Sequence, residues 1–376
     1  MNAVIGSMRR HIVTLLALVL FCSTIAAQGA LEKGINAEAK GLGDLAESYY
    51  RTATDTSAEA CLRLGLLLER KYHYNEAELW LRHADTTALS MAHLALCLGE
   101  EKQWDSAKRH AEKAIELADS ADGVIRSLAM STLALVYAEE QNYTNAQAWA
   151  HKAEKEDPQS VRAMNVTGIV LFRRGNENDA IQQFRKALKL DPANVDAYFN
   201  LGTIYCYRNN YDLAISTLRK GLQQERRSTK LFYCLGWAFM LKGETPKAIE
   251  CLQSVIEIDS GYVNAYNRLG DIYFQRAEYN QALEQYRKAI RIAPGLSEAY
   301  RLQGRTYAEM GQHGKAISSY QKAVGINPKD AETYCRIAEL YALQKQTKRE
   351  QSNYRRAAKL GHKEAQQWCT KRGISY

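Results

Sequence analysis

The sequence predicts an all-α repeat solenoid, on three observations. Small residues recur at a fixed step of 34 positions: Ala134, Gly168, Gly202, Gly236, Gly270, Gly304 and Ala338. Three positions after each stands an aromatic residue or leucine: Tyr137, Leu171, Tyr205, Phe239, Tyr273, Tyr307 and Tyr341. Twelve positions after each stands an alanine, Ala146, Ala180, Ala214, Ala248, Ala282 and Ala316, with Glu350 breaking the series. Self-similarity at a period of roughly 20–50 residues marks supersecondary units that stack on one another.

The chain begins with the segment 1–27, which carries Arg9 and Arg10, an apolar run from Ile12 to Cys22, and small residues ending at Ala26 and Ala27. This order is that of a secretory signal peptide cut between Ala27 and Gln28. The apolar run is about half of the roughly 20 residues a membrane-spanning helix needs. Phe21 stands where a bacterial lipoprotein signal carries a small residue, so lipidation at Cys22 is not expected.

Residues 28–126 hold three degenerate units. The first uses Gly34, Ala46, Tyr50 and Ala53; the second uses Cys61, Leu64, Gly65, Leu68, Ala77, Leu81 and Ala84. The third uses Met91, Leu94, Ala95, Leu98, Ala107, Ala111 and Ala114, stretched around the ADSADG segment. Residues 127–364 hold seven units in unbroken 34-residue register, several closed by Pro158, Pro192, Pro294 or Pro328. A proline cannot continue a helix, so each of these ends one. Residues 365–376 supply a cap and the C-terminus, with a helix expected from about Lys363 to Arg372, because a terminal repeat otherwise exposes its apolar face.

The pattern resembles the tetratricopeptide repeat. Tyr266, Leu269, Gly270, Tyr273, Ala282, Tyr286, Ala289 and Pro294 fill its slots in one unit. The resemblance implies a right-handed superhelical solenoid of antiparallel helix hairpins. Gly270 and Ala282 are small so that two helices approach closely, while Tyr273 and Tyr286 fill the space between neighbouring pairs. The stretch YRRAAKLGHKEAQQWC resembles the close of a Sel1-like repeat.

The resemblance also implies which positions of each first helix face the concave surface. Along the middle units they are Arg162, Asn165, Phe172, Phe199, Asn200, Tyr207, Lys230, Tyr233, Trp237, Met240, Asn267, Arg268, Asp271, Phe274, Arg301, Arg305 and Arg336. The peptide-binding groove is expected at Asn165, Phe172, Phe199, Asn200, Tyr233, Trp237, Asn267, Arg268, Asp271, Arg301 and Arg305. Aromatic side chains supply anchoring area, and arginines hold carboxylates in two-pronged fashion. The asparagines and arginines are expected to face solvent or ligand, since such groups gain nothing from a core. Arg301→Glu with Arg305→Glu is accordingly expected to leave helicity intact and remove recognition of an acidic ligand. The carboxylate clamp of chaperone-binding members is incomplete. Asn200 and Lys230 match it, but Asn165, Ile169 and Cys234 occupy its other three slots.

No HExxH, GxSxG, phosphate-binding loop or dinucleotide fingerprint occurs, so an enzyme is not expected, nor a cofactor. With Cys22 removed, seven cysteines remain without paired spacing and read as small buried hydrophobes. Neither they nor His73, His83 and His93 approach zinc-ligand spacing, so no metal is expected. Residues 28–140 carry 12 basic and 19 acidic side chains, and residues 141–376 carry 36 and 23. Such asymmetry orients a partner or steers encounter. The expected function is a non-enzymatic scaffold in the bacterial envelope, exported to the periplasm, cell surface or medium, that binds a protein or peptide segment. The second reading is an envelope-assembly component docking on anionic membrane or cell-wall polymer through the basic C-terminal third. Nucleic acid is not an expected partner of an exported chain.

Overall fold

A computed structural model describes residues 26–55, 57–71 and 73–376, and every regular element among them is helical. The expected signal peptide lies outside the described residues except for Ala26 and Ala27, which are helical and belong to α1, described over residues 26–39. Ala27 packs on Ala53 and Ala60. No described helix is long and apolar enough to cross a membrane.

Contacts divide the chain into two compact units, one ending at Ala197 and one beginning at Tyr198. The first contains α1, α2 (Gly43–Ala53), α3 (Ala58–Arg70), α4 (Tyr74–Leu81), α5 (Ala88–Glu100), α6 (Trp104–Leu117), α7 (Gly123–Glu139), α8 (Tyr143–Glu156), α9 (Val161–Arg173) and α10 (Glu177–Leu190). Helix α11 (Val195–Tyr207) carries the boundary. The second unit continues with α12 (Tyr211–Gln224), α13 (Thr229–Lys242), α14 (Thr245–Ile258), α15 (Val263–Gln275), α16 (Tyr279–Ile292), α17 (Ser297–Glu309), α18 (His313–Ile326), α19 (Ala331–Leu343), α20 (Thr347–Lys359) and α21 (Lys363–Lys371).

Each hairpin closes on its small residue. A Cβ built on Gly168 would stand 2.7 Å from Phe184, on Gly202 2.6 Å from Leu218, and on Gly304 2.6 Å from Tyr320. In every case the obstructing side chain lies sixteen positions later, on the second helix. Where the small residue is Ala95 or Ala134, the sixteenth position is Ala111 or Ala150, all four fully buried. The pair therefore conserves the space between the helices rather than either residue alone.

The turn between paired helices repeats just as strictly. Gln141, Gly175, Asn209, Gly243, Ala277, Gly311 and Lys345 all have positive φ, between 56° and 86°. The next amide reaches back to the aromatic position of the ladder, as in Asn142 N–H to Tyr137 O (2.9 Å) and Glu278 N–H to Tyr273 O (2.9 Å). This is the left-handed closure that glycine favours at a helix C-terminus. A non-glycine residue in that conformation costs about 1 kcal/mol, and widely separated sites add. Changing Gln141, Ala277 and Lys345 together to glycine is expected to raise unfolding stability by about 2–3 kcal/mol, read by urea melts. No gain at any of the three would contradict the assignment.

Several first helices begin on side-chain caps: Ser57 accepts from Ala60 N–H, Ser160 from Ala163, Asn194 from Ala197 and Asp330 from Thr333. Helix α21 ends the array as expected, its core formed by Cys335, Ala357, Ala358, Ala365 and Cys369. Tyr354 stacks on Trp368 with ring centroids 4.2 Å apart. All seven cysteines from Cys61 to Cys369 are free and buried.

Candidate functional site

In the second unit, the first helices α11, α13, α15, α17 and α19 bring together most of the residues expected to bind. Lys230 lies over the Phe199 ring at 4.9 Å, beside half-buried Asn200. Tyr207 is 62% exposed and meets Trp237 edge-on, with centroids 5.4 Å apart. Tyr233 packs on Tyr262 at 5.4 Å and accepts a hydrogen bond from Arg268 Nε at 3.2 Å. Burial pushes the Tyr262 phenol up to about 12, so it stays neutral. Tyr262 escaped the sequence reading because it precedes α15 and is not one of the ladder positions.

Several expected ligand-binding groups are already engaged by the protein. Arg301 makes two hydrogen bonds to Glu298, at 2.9 and 2.5 Å. Arg305 Nη2 donates to Asp271 at 3.0 Å and lies 4.1 Å from the Phe274 ring centre. Asp271 also accepts from Tyr286 O–H at 3.0 Å. Burial, reinforced by Asp271, holds the Tyr286 phenol far above its ordinary value. Asp271 and Arg305 thus brace α15, α16 and α17 instead of standing free. Asn267 is only 7% exposed, in the packed seam of α15.

In the first unit Asn165 is likewise 7% exposed, and its Nδ2 donates to Asn194 at 2.9 Å. The expectation that a buried asparagine gains nothing is therefore corrected at Asn165. Asn194 caps α11, and Asn165 secures that cap. Phe172 is half-buried near the end of α9. Charges on this unit's first helices are paired within it: His93 Nδ1 lies 2.6 Å from Glu69, Arg173 2.5 Å from Glu139 and Arg162 3.6 Å from Glu100. His83 Nδ1 lies 2.7 Å from Leu79 O. His83 and His93 are therefore each partnered separately.

The chaperone-type clamp stays incomplete, because Cys234 in its arginine slot is buried, hydrogen-bonded with Cys206 and 3.6 Å from Thr203 Oγ1. What remains open is narrower than the expected groove: an aromatic step of Tyr207 and Trp237, flanked by Phe199, Asn200, Tyr233 and Arg268.

The second helices contribute a separate set of contacts. Several ladder aromatics are covered by cations of the second helices: Arg219 and Lys247 over Phe239, Lys315 over Tyr307, and Arg349 over Tyr341. Arg287 also donates to Tyr307 O–H at 3.0 Å. A cavity of about 460 Å³ lies in this slot beside Phe239. Its Lys242 and Lys247 are paired with Asp212 and Glu244, which suits a structural brace.

At the C-terminus Lys345, Lys348, Arg349, Arg355, Arg356, Lys359, Lys363, Lys371 and Arg372 are all exposed. Arg355 also bonds the Ser375 carbonyl at 2.8 Å, and Arg372 covers Trp368 at 4.3 Å.

Comparison with known proteins bears on this architecture. A profile described as TPR repeat matches residues 168–206 and 236–276, and two described as tetratricopeptide repeat match 264–329 and 197–230. Among solved structures, the human IFIT1 dimer with PPP-AAAA superposes with a TM-score of 0.56 at 15% identity, over 87% of this chain and 89% of that one. MamA aligns at 33% identity over 44% of this chain and 96% of its own, with a TM-score of 0.38. The APC/C hetero-tetramer Cut9–Hcn1 aligns at 14% identity over 93% and 96%, with a TM-score of 0.47. No curated protein matches the chain.

Proposed function

Because the chain carries tetratricopeptide repeats, we propose that it is a non-enzymatic interaction scaffold of the bacterial envelope. A peptide or protein segment is bound on the first-helix face of the second unit. The observation that carries this reading is the aromatic step: Tyr207 is 62% exposed against Trp237, with Tyr233 and Arg268 beside it. Aromatic and arginine side chains dominate the energetics of protein interfaces. Export rests on the signal-like segment 1–27.

The second reading, docking on an anionic membrane or wall polymer, rests on the exposed cations of α20 and α21. One experiment separates them: a crosslinking pull-down from the envelope fraction with the parent chain and with a variant carrying Tyr207, Tyr233 and Trp237 changed to alanine. The scaffold reading expects a partner captured by the parent and lost by the variant. Equal capture by both that weakens steeply with salt supports docking, since screening removes exposed charge attraction. Equal capture insensitive to salt removes both.

A further inference from the structure

The packing of α21 against the last hairpin gathers side chains that the repeat architecture does not require. Glu332 and Cys335 stand three positions apart near the start of α19 and so share one of its faces. His362 caps α21, and Glu364 lies in its first turn. The ligating atoms of Cys335, His362 and Glu364 all lie within 4.8 Å of one another. His362 Nε2 stands 2.9 Å from Glu332 Oε2. A thiol, an imidazole and two carboxylates thus converge from two helices that are neighbours only in the fold.

Both nitrogens of the imidazole are engaged in the metal-free protein. Ala365 N–H donates to Nδ1 at 3.3 Å, so the neutral ring carries its proton on Nε2 and gives it to Glu332. At that length the bond to Nδ1 is weak, and the lone pair is readily reassigned. A cation on Nδ1 would replace the Ala365 N–H bond and keep the Nε2–H to Glu332 contact, the carboxylate–histidine–metal arrangement that fixes ring orientation in metal sites.

The chemistry of the donors selects the ion. Cys335 is 3% exposed, and Arg336 pairs with Glu332 at 2.8 Å and with Glu339 at 3.1 Å, so Glu364 is the carboxylate of the cluster that Arg336 does not engage. A divalent cation attracts each of the three donors, and its charge favours the thiolate form of the ligating cysteine. Sulfur and nitrogen donors select a borderline-soft ion over calcium or magnesium, which take oxygen ligands. Zinc bonds of about 2.0–2.3 Å place tetrahedral ligand atoms about 3.3–3.8 Å apart. Side-chain rotations that draw the three donors together by about 1 Å reach that geometry.

We propose that Cys335, His362 and Glu364 form a site for a zinc-class divalent cation, with Glu332 orienting the imidazole and water completing four-coordination. As the metal–sulfur bond forms, the Cys335 proton passes to solvent, and no electrons are exchanged. The bound ion ties α21 to α19, so metal affinity becomes stability of the C-terminal cap. The site is independent of the peptide-binding reading. Sequence spacing did not show it, because 26 residues separate Cys335 from His362 and no short motif joins them.

The test is titration of the chain with cobalt(II), then with zinc. About one equivalent of cobalt should give the near-ultraviolet thiolate charge-transfer band and the visible bands of a four-coordinate ion, and zinc should displace it and raise the thermal midpoint. Cys335→Ser should abolish the thiolate band. Glu364→Gln, at an exposed position that should not affect folding, should weaken affinity at least about 10-fold, by analogy with the loss of metal-site contacts. Absence of the band in the parent, its persistence in Cys335→Ser, or unchanged affinity in Glu364→Gln overturns the proposal. So does loss of the band in Cys234→Ser instead, which would place the metal at the Cys206–Cys234 pair.

Discussion

Gly270→Ala is expected to destabilise the second unit, and Gly236→Ala to leave it unchanged or stabilise it. Alanine is favoured over glycine in a helix by about 1 kcal/mol, so both substitutions start with a gain. At Gly270 the added Cβ would stand 2.4 Å from Tyr286 Cε1 and 2.8 Å from two further ring atoms. Tyr286 is fully buried and its hydroxyl is held by Asp271, so the ring has no room to yield. Overpacking of this kind costs about 1–3 kcal/mol, and an overlap this deep belongs at the upper end. A net loss of about 2 kcal/mol follows when the helix-propensity gain is set against it. At Gly236 the nearest contacts are 3.3 Å, to Cys251 Cβ and Leu252 Cγ, so a shift of a few tenths of an ångström suffices and its cost offsets only part of the propensity gain. A double-mutant cycle isolates the cause. Tyr286→Ala alone should cost about 3–5 kcal/mol, but in that background Gly270→Ala should no longer destabilise, since Ala134 with Ala150 already forms such a pair. Chemical denaturation of the four proteins reads the cycle, and a Gly270→Ala protein as stable as its parent would refute it.

Arg305→Glu is expected to lower stability by about 2 kcal/mol, whatever it does to binding. At this exposure the lost pair with Asp271 accounts for about 1 kcal/mol or less. The lost cover over Phe274 adds about 0.5–1 kcal/mol, and two carboxylates now face each other. Like charges raise each other's pKa in the folded chain, so folding then takes up protons and the variant's deficit should shrink as pH falls through those raised values. Arg305→Gln, which keeps a donor for Asp271, should recover most of the loss. Arg301→Glu meets half-buried Glu298 within the same helix and should cost less. Thermal melts across pH read these outcomes; an Arg305→Glu protein as stable as the parent at neutral pH would show that the Asp271 brace contributes nothing. The double charge reversal that sequence alone offered as a clean probe of recognition is therefore partly a lesion of the fold. Trp237 and Tyr207 are better probes, because Tyr207 is exposed and neither sits in an ion pair that braces neighbouring helices.

The hairpin repeat was legible without a structure because close helix packing is a local, periodic demand. A small residue, its partner sixteen positions on and a left-handed turn must recur wherever two helices fold back, so Gly168, Gly202, Gly270 and Gly304 announce themselves by spacing. The candidate site was legible only as a set of positions. Spacing put Asn267, Asp271, Arg301 and Arg305 on first helices, but whether a side chain on that face is open depends on partners that follow no period. Glu298 and Tyr286 engage Arg301 and Asp271, Asn194 engages Asn165, and Tyr262 joins Tyr233.

By itself, then, the sequence determined the helical hairpins, their register and the small and aromatic residues that pack them, since each is dictated within one repeating unit. Tertiary structure alone decided which arginines are already paired, which asparagines are buried, and that Cys335, His362 and Glu364 meet. Those outcomes depend on distances between separate helices, and a period of 34 residues specifies the helices without specifying the irregular side chains that fill the spaces between them.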